Sequence, residues 1–165
     1  TTAAVRLARA YTGRDLVARC RESQFHSFDD WFIGTTPCNA GIPKVVSDLT
    51  LIFPYNDIAR LQALFDRHPN EIGSVILEPV YYDPPDPAYL AALRDLTHRH
   101  GAVLIFDEII SGFRWDVRGA QHYFGVTPDL SCFGKMIANA INRLVCWSGG
   151  NFVHKGGADD NGVRG

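Results

Sequence analysis

The sequence predicts an α/β layer built on a mainly parallel sheet with flanking helices, and three observations carry that prediction. Val103-Leu104-Ile105-Phe106 is an unbroken apolar run, the pattern of a strand buried on both faces of a parallel sheet. Gly73 to Leu77 and Leu130 to Phe133 are further short apolar strands, each followed closely by a charged residue. The stretches between them carry helical spacing or helix punctuation, so strand, helix, strand, short helix and strand alternate along the chain.

Taken in order, Thr1 to Tyr11 sets Ala4, Leu7, Ala8 and Tyr11 on one helical face, with Thr1 or Thr2 to cap its start and Gly13 to stop it. Leu16 to Cys20 is a short strand. Gln24 to Lys44 is rich in aromatics, Gly, Pro, Thr and Asn without a sustained period, which marks a long functional loop. Asn56 or Asp57 caps a helix bearing Ile58, Leu61, Leu64 and Phe65 that stops near Pro69. After the strand ending at Glu78-Pro79, Asp86-Pro87 reads as an N-cap with proline at the first helical position. Leu90, Leu93 and Leu96 continue that helix to Gly101. Residues 1–140 are expected to form one partial cofactor-binding domain and 141–165 an irregular tail. The missing initiator Met and an opening inside a helical pattern add the expectation that the chain is a fragment of a longer protein.

The 165 residues, 46% of them hydrophobic and 21% charged, suffice for a single core. A net charge of −2 with scattered Lys and Arg leaves no basic stripe, so nucleic acid is not an expected partner. No apolar run reaches the length of a membrane span and the start is not a secretion signal, from which a cytoplasmic setting is expected. Cys20, Cys38, Cys132 and Cys146 are dispersed without metal-ligand spacing and read as small buried hydrophobes.

In parallel sheets ligands sit beyond the carboxyl ends of the strands, and Glu78, Asp107 and Lys135 are each the first charged residue after a buried strand. A lysine there suits imine formation with a carbonyl, provided that desolvation encourages loss of its proton. If the carbonyl belongs to pyridoxal phosphate, a carboxylate is needed at the pyridine nitrogen, for which Asp107 is the natural candidate, and apolar groups on the two ring faces, for which Phe25 and Ile109 serve. Residue by residue each feature has a plainer reading: a solvated lysine, a turn aspartate, a core phenylalanine.

Order and context decide between them. The stretch Leu104-Ile105-Phe106-Asp107-Glu108-Ile109-Ile110-Ser111-Gly112-Phe113-Arg114, then Gly119-Ala120-Gln121, Phe124 to Leu130 and Gly134-Lys135, resembles the class III aminotransferases, nearest to the glutamate-1-semialdehyde 2,1-aminomutase branch. Arg6 to Arg14 and Phe25-His26-Ser27 agree in order, the latter resembling the family's Tyr-His-Gly. The resemblance runs from Thr1 to about Asn139. It implies a fold type I large domain with pyridoxal 5'-phosphate bound to Lys135, paired with Asp107 at the ring nitrogen and sandwiched by Phe25 and Ile109. It also implies His26 near the cofactor, Glu78 on the substrate side, an amino donor and a carbonyl acceptor as substrates, and a homodimer.

The sequence departs from the family at several points. Phe25 lacks the usual tyrosine hydroxyl, Ile110 stands where many relatives carry a glutamine, and the tail after Asn139 holds no threonine to match the family's partner-subunit phosphate contact. The family's Gly-Ser/Thr phosphate turn would fall just before Thr1. Two other readings stand beside the enzyme core: an incompetent truncated fragment, and a P-loop ATPase in which Asp107-Glu108 holds magnesium. The second needs a phosphate loop that Gly134-Lys135-Met136 does not supply.

Overall fold

The computed structural model describes residues 1–136 and the backbone of 145–148. Its centre is a six-stranded sheet of β1 (Leu16–Cys20), β2 (Thr50–Phe53), β3 (Ile72–Leu77), β4 (Val103–Glu108), β5 (Leu130–Phe133) and β6 (Val145–Ser148), in the order β2-β1-β3-β4-β5-β6. The first five strands pair in parallel and β6 runs antiparallel to β5. The main helices are α1 (Thr2–Thr12), α4 (Ile58–Arg67) and α5 (Tyr89–Arg99), with single turns at α2 (Asp30–Ile33), α3 (Lys44–Ser47) and α6 (Ala120–Tyr123).

Strand β4 shows why the sheet is doubly covered. Leu104 and Phe106 enter the core shared with α4 and α5, whereas Val103 and Ile105 enter the core on the opposite face with Ala4, Val5 and Ala8 of α1 and with Trp31 and Phe32 of α2. Successive side chains alternate between faces, so a strand with helices on both sides must be apolar at every position. The expected parallel α/β layer is present, and no helix among the described residues is long and apolar enough to cross a membrane.

Several local expectations are corrected. Leu7 and Tyr11 are exposed and Val5 is buried in their place, because α1 meets the sheet along Ala4, Val5 and Ala8. Thr1 is the N-cap of α1 but makes no side-chain cap bond; its hydroxyl donates to the His26 carbonyl, and Thr2 accepts from Trp31 Nε1 at 3.0 Å. Both threonines are engaged by the following loop. That loop, expected to be irregular from Gln24 to Lys44, carries α2, and the edge strand β2 after it was not foreseen. Asp86-Pro87 does not open α5: the N-cap is Ala88, and Asp86 contributes only its carbonyl to Tyr89 N–H. Asp57 does cap α4, its carboxylate accepting from Arg60 N–H at 2.9 Å. Cys20 and Cys132 are buried as expected while Cys38 is exposed. The tail is not irregular throughout, since 145–148 form β6; the rest of 141–165 lies outside the described residues.

Candidate active site

The carboxyl ends of β3, β4 and β5, three neighbours at the middle of the sheet, deliver Glu78, Asp107 and Lys135 to one cleft of about 530 Å3. Phe25, His26 and Ile109 line the same cleft, so all six residues singled out from the sequence meet there. Tyr81, Ile110 and the start of α1 at Thr1, Thr2 and Ala3 complete its walls.

Asp107 is the most firmly held of these groups. It is 2% exposed; one carboxylate oxygen accepts from His26 Nδ1 at 2.7 Å and the other from Ile109 N–H at 3.1 Å. A carboxylate only accepts, so the imidazole donates from Nδ1. His26 is itself fixed, stacked on Trp31 with centroids 6.3 Å apart and edge-on to Phe32 at 5.5 Å. Carboxylate oxygens offer about four acceptor sites in all, so capacity remains for a further donor from the cleft.

The neighbouring Glu108 serves another purpose. Adjacent strand residues face opposite sides, and Glu108 accepts from Ala120 N–H at 2.5 Å, Gln121 N–H at 3.0 Å and the Ser111 hydroxyl at 3.3 Å. Burial raises its pKa against those bonds. Glu108 thereby ties the start of α6 to the end of β4 and closes the loop that begins with Ile109 and Ile110. It is not offered to a magnesium ion, and the P-loop alternative loses its structural basis.

Glu78 follows β3 directly and is 6% exposed. Burial, and next the Asp107 charge, push its pKa up to about 7, with Lys135 pulling the other way. The neutral carboxyl is therefore the form that the fold prefers. Its contribution to stability is full below the ordinary carboxyl range and is lost as pH rises through about 7. Urea midpoints measured between about pH 5 and 8 are expected to fall for the wild type and to flatten in Glu78→Gln; parallel curves would refute the assignment.

Lys135 lies two residues beyond β5 with φ of 44°, in the left-handed region. The expected desolvation of this lysine is not observed: the side chain is exposed where it borders the cleft. Phe25 is 47% exposed and packs edge-on to Phe32 at 5.8 Å and to Phe28 at 4.7 Å, leaving ring surface to the cleft. Tyr81 and the threonines of α1 were missed from sequence. Tyr81 stands three residues after Glu78, a position that pointed to the cleft, but nothing local marked the threonines, whose partners are about 25 residues away.

The donor set suits pyridoxal phosphate. It offers an amine, a buried carboxylate with spare acceptor capacity, apolar walls at Phe25 and Ile109, and a helix start at the rim. The first ladder bond of α1 runs from Val5 N–H to Thr1 C=O, so the N–H groups ahead of it, beside the cleft, stand outside the ladder.

A parallel sheet that brings a lysine and two carboxylates to one cleft in this order defines a fold type I core. The family model for aminotransferase class-III matches residues 2–145, and the chain belongs to that family. It is 40% identical over 154 residues to glutamate-1-semialdehyde 2,1-aminomutase 2 of Anoxybacillus flavithermus (strain DSM 21510 / WK1), covering 86% of this chain and 36% of the relative. An omega-transaminase structure from Sphaerobacter thermophilus superposes with a TM-score of 0.82 at 34% identity over 90% of this chain and 38% of its own. A transaminase structure with PLP bound gives 0.80 at 29% identity over 89% and 37%. The chain thus spans little more than a third of the length of these relatives.

Proposed function

We propose that the chain is the pyridoxal-phosphate-holding core of an aminotransferase or aminomutase, acting on an amino donor and a carbonyl acceptor. The observation that carries this reading is the buried Asp107 carboxylate, held by His26 at 2.7 Å and opening on the cleft that Lys135 borders. When bound, the cofactor supplies an aldehyde carbon that exchanges amino groups and a ring that absorbs electron density from the substrate. Lys135 Nζ would hold that aldehyde and would serve as the base and acid that moves a proton at the substrate α-carbon. Asp107 holds a proton at the ring nitrogen, and His26 keeps the carboxylate in place. Phe25 and Ile109 would flank the ring and exclude water. The unbonded N–H groups at the start of α1 favour the phosphate end there.

A homodimer and a cytoplasmic setting belong to the same reading. The exposed apolar residues Leu7 and Phe28 support the first, and the unlinked Cys20 and Cys38 support the second.

The test is an absorbance spectrum of the chain with pyridoxal phosphate, before and after borohydride reduction, alone and within the full-length protein. A visible band that disappears in Lys135→Ala, with the reduced adduct mapped to Lys135, is the expected result. In the full-length protein, a band indifferent to that substitution, or an adduct on another lysine, would refute the assignment.

A further inference from the structure

Of the three carboxylates that line the cleft, Asp29 is exposed and accepts from the Ser27 hydroxyl at 2.9 Å, and the two buried ones are held very differently. Asp107 is bonded at both oxygens, by His26 and by Ile109 N–H. Glu78 is nearly as buried, yet among the described residues its carboxyl oxygens take no hydrogen bond; only its backbone is anchored, its N–H donating to Ser23 Oγ at 3.2 Å. The carboxyl opens on the cleft, where a donor that enters can reach its oxygens. The groups around it are Asp107 from β4, backed by His26 from the loop after β1, Lys135 from beyond β5, and Tyr81 from its own segment. Asp107 already accepts two bonds and its remaining capacity is given above to the cofactor, whereas the Glu78 oxygens accept none among the described residues.

We propose that Glu78 docks the ammonium group of an incoming primary amine beside Lys135 and accepts one of its protons, releasing the neutral amine as the nucleophile. This deepens the function proposed above and rests on it. The step balances without electron transfer: the substrate ammonium and the Glu78 carboxylate become a free amine and a carboxylic acid. A primary amine is almost wholly protonated at neutral pH, with a pKa near that of lysine at about 10, and an ammonium has no lone pair with which to attack. In water, transfer to a carboxylate is strongly uphill. In the cleft the docked cation pairs with the Glu78 carboxylate, so transfer within the pair stays uphill and the neutral amine is populated only transiently, as it attacks. The ligand class follows: a primary amine that enters charged, its nitrogen directed between Glu78 and Lys135.

Two measurements on the full-length protein test this. The first needs no cofactor: infrared titration of the Glu78 carboxyl, identified by the band that Glu78→Gln removes, with and without n-propylammonium chloride. Docking of the cation lowers the titration midpoint by about one pH unit or more, and an unmoved midpoint overturns the proposal. The second follows the rate at which n-propylamine consumes the visible band of the loaded protein. The wild type is expected to hold its rate from about pH 9 down to 7. Glu78→Gln, which keeps the side-chain shape, falls about tenfold per pH unit with the free-amine fraction, and Glu78→Asp recovers part of the loss. A Gln variant that follows the wild-type profile refutes the proton transfer. Should no visible band form at all, the cofactor reading fails, while the infrared midpoint still decides the docking.

Discussion

Asp107→Asn is expected to lower the turnover of the cofactor-loaded full-length protein by about 10²–10³-fold, the size of effect seen when one preorganised electrostatic contact to a reacting system is removed. The amide has the volume of the carboxylate and accepts one hydrogen bond in place of two, so the fold survives, but it carries no charge with which to hold a proton on the ring nitrogen. Asp107→Ala goes further. His26 Nδ1–H and Ile109 N–H, now bonded at 2.7 and 3.1 Å, lose their acceptor. One buried and one part-buried donor left unsatisfied cost about 2–5 kcal/mol together. Turnover for the Asn variant and urea unfolding for the Ala variant separate the two roles. An Asn variant within about threefold of the wild type would mean that Asp107 acts only as a structural acceptor.

The second large effect concerns a residue that touches no part of the cleft. Glu108→Ala strips the acceptor from Ala120 N–H, Gln121 N–H and the Ser111 hydroxyl at once. Even with partial rescue by water this is expected to cost about 3 kcal/mol, which lowers the melting temperature by roughly 6–12 °C in a chain of this size. Glu108→Gln retains one acceptor and should lose less. Calorimetry on the three proteins checks the ranking, and an unchanged transition in Glu108→Ala would show that the loop is held by other contacts. The position is crowded as well as bonded. A side chain at Gly119, whose φ is 87°, would place its Cβ 2.7 Å from the Glu108 carboxylate, so the glycine and the glutamate form one unit.

The legible parts of this molecule were those with a local cause. The apolar run at Val103 to Phe106 announced a strand covered on both faces because each of its residues has a helix opposite it. Asp57 was readable as a cap because its acceptor role is completed three residues away, at Arg60 N–H. Charges at the ends of Gly73–Leu77, Val103–Phe106 and Leu130–Phe133 located the cleft because a parallel sheet brings its carboxyl ends to one edge. What escaped was set by tertiary partners. Thr1 looked like a cap and instead serves the His26 carbonyl. Leu7 and Tyr11 share a helical face with Ala4 and Ala8 but lie beyond the width that the sheet covers. Glu108 entered only the P-loop alternative, as a magnesium ligand beside Asp107, and strand alternation sends it to the other side. The exposure of Lys135 differs from the expected desolvation because solvent access at a strand end depends on the surrounding walls, which the strand itself does not encode.

The His26–Asp107 bond spans 81 residues, and Glu78 and Lys135 come from two further strands. In terms of contact order, Glu78, Asp107 and Lys135 each come from a different strand end and meet only when β3, β4 and β5 are paired. Every parallel pairing of β1 through β5 must close a loop before it is rewarded, which makes the assembly slow. A ligand of this cleft therefore recognises only the finished sheet. Bound at about a hundredfold above its dissociation constant it would add about 2.7 kcal/mol to the folded state by mass action, so the cofactor would also weight the equilibrium toward the assembled sheet.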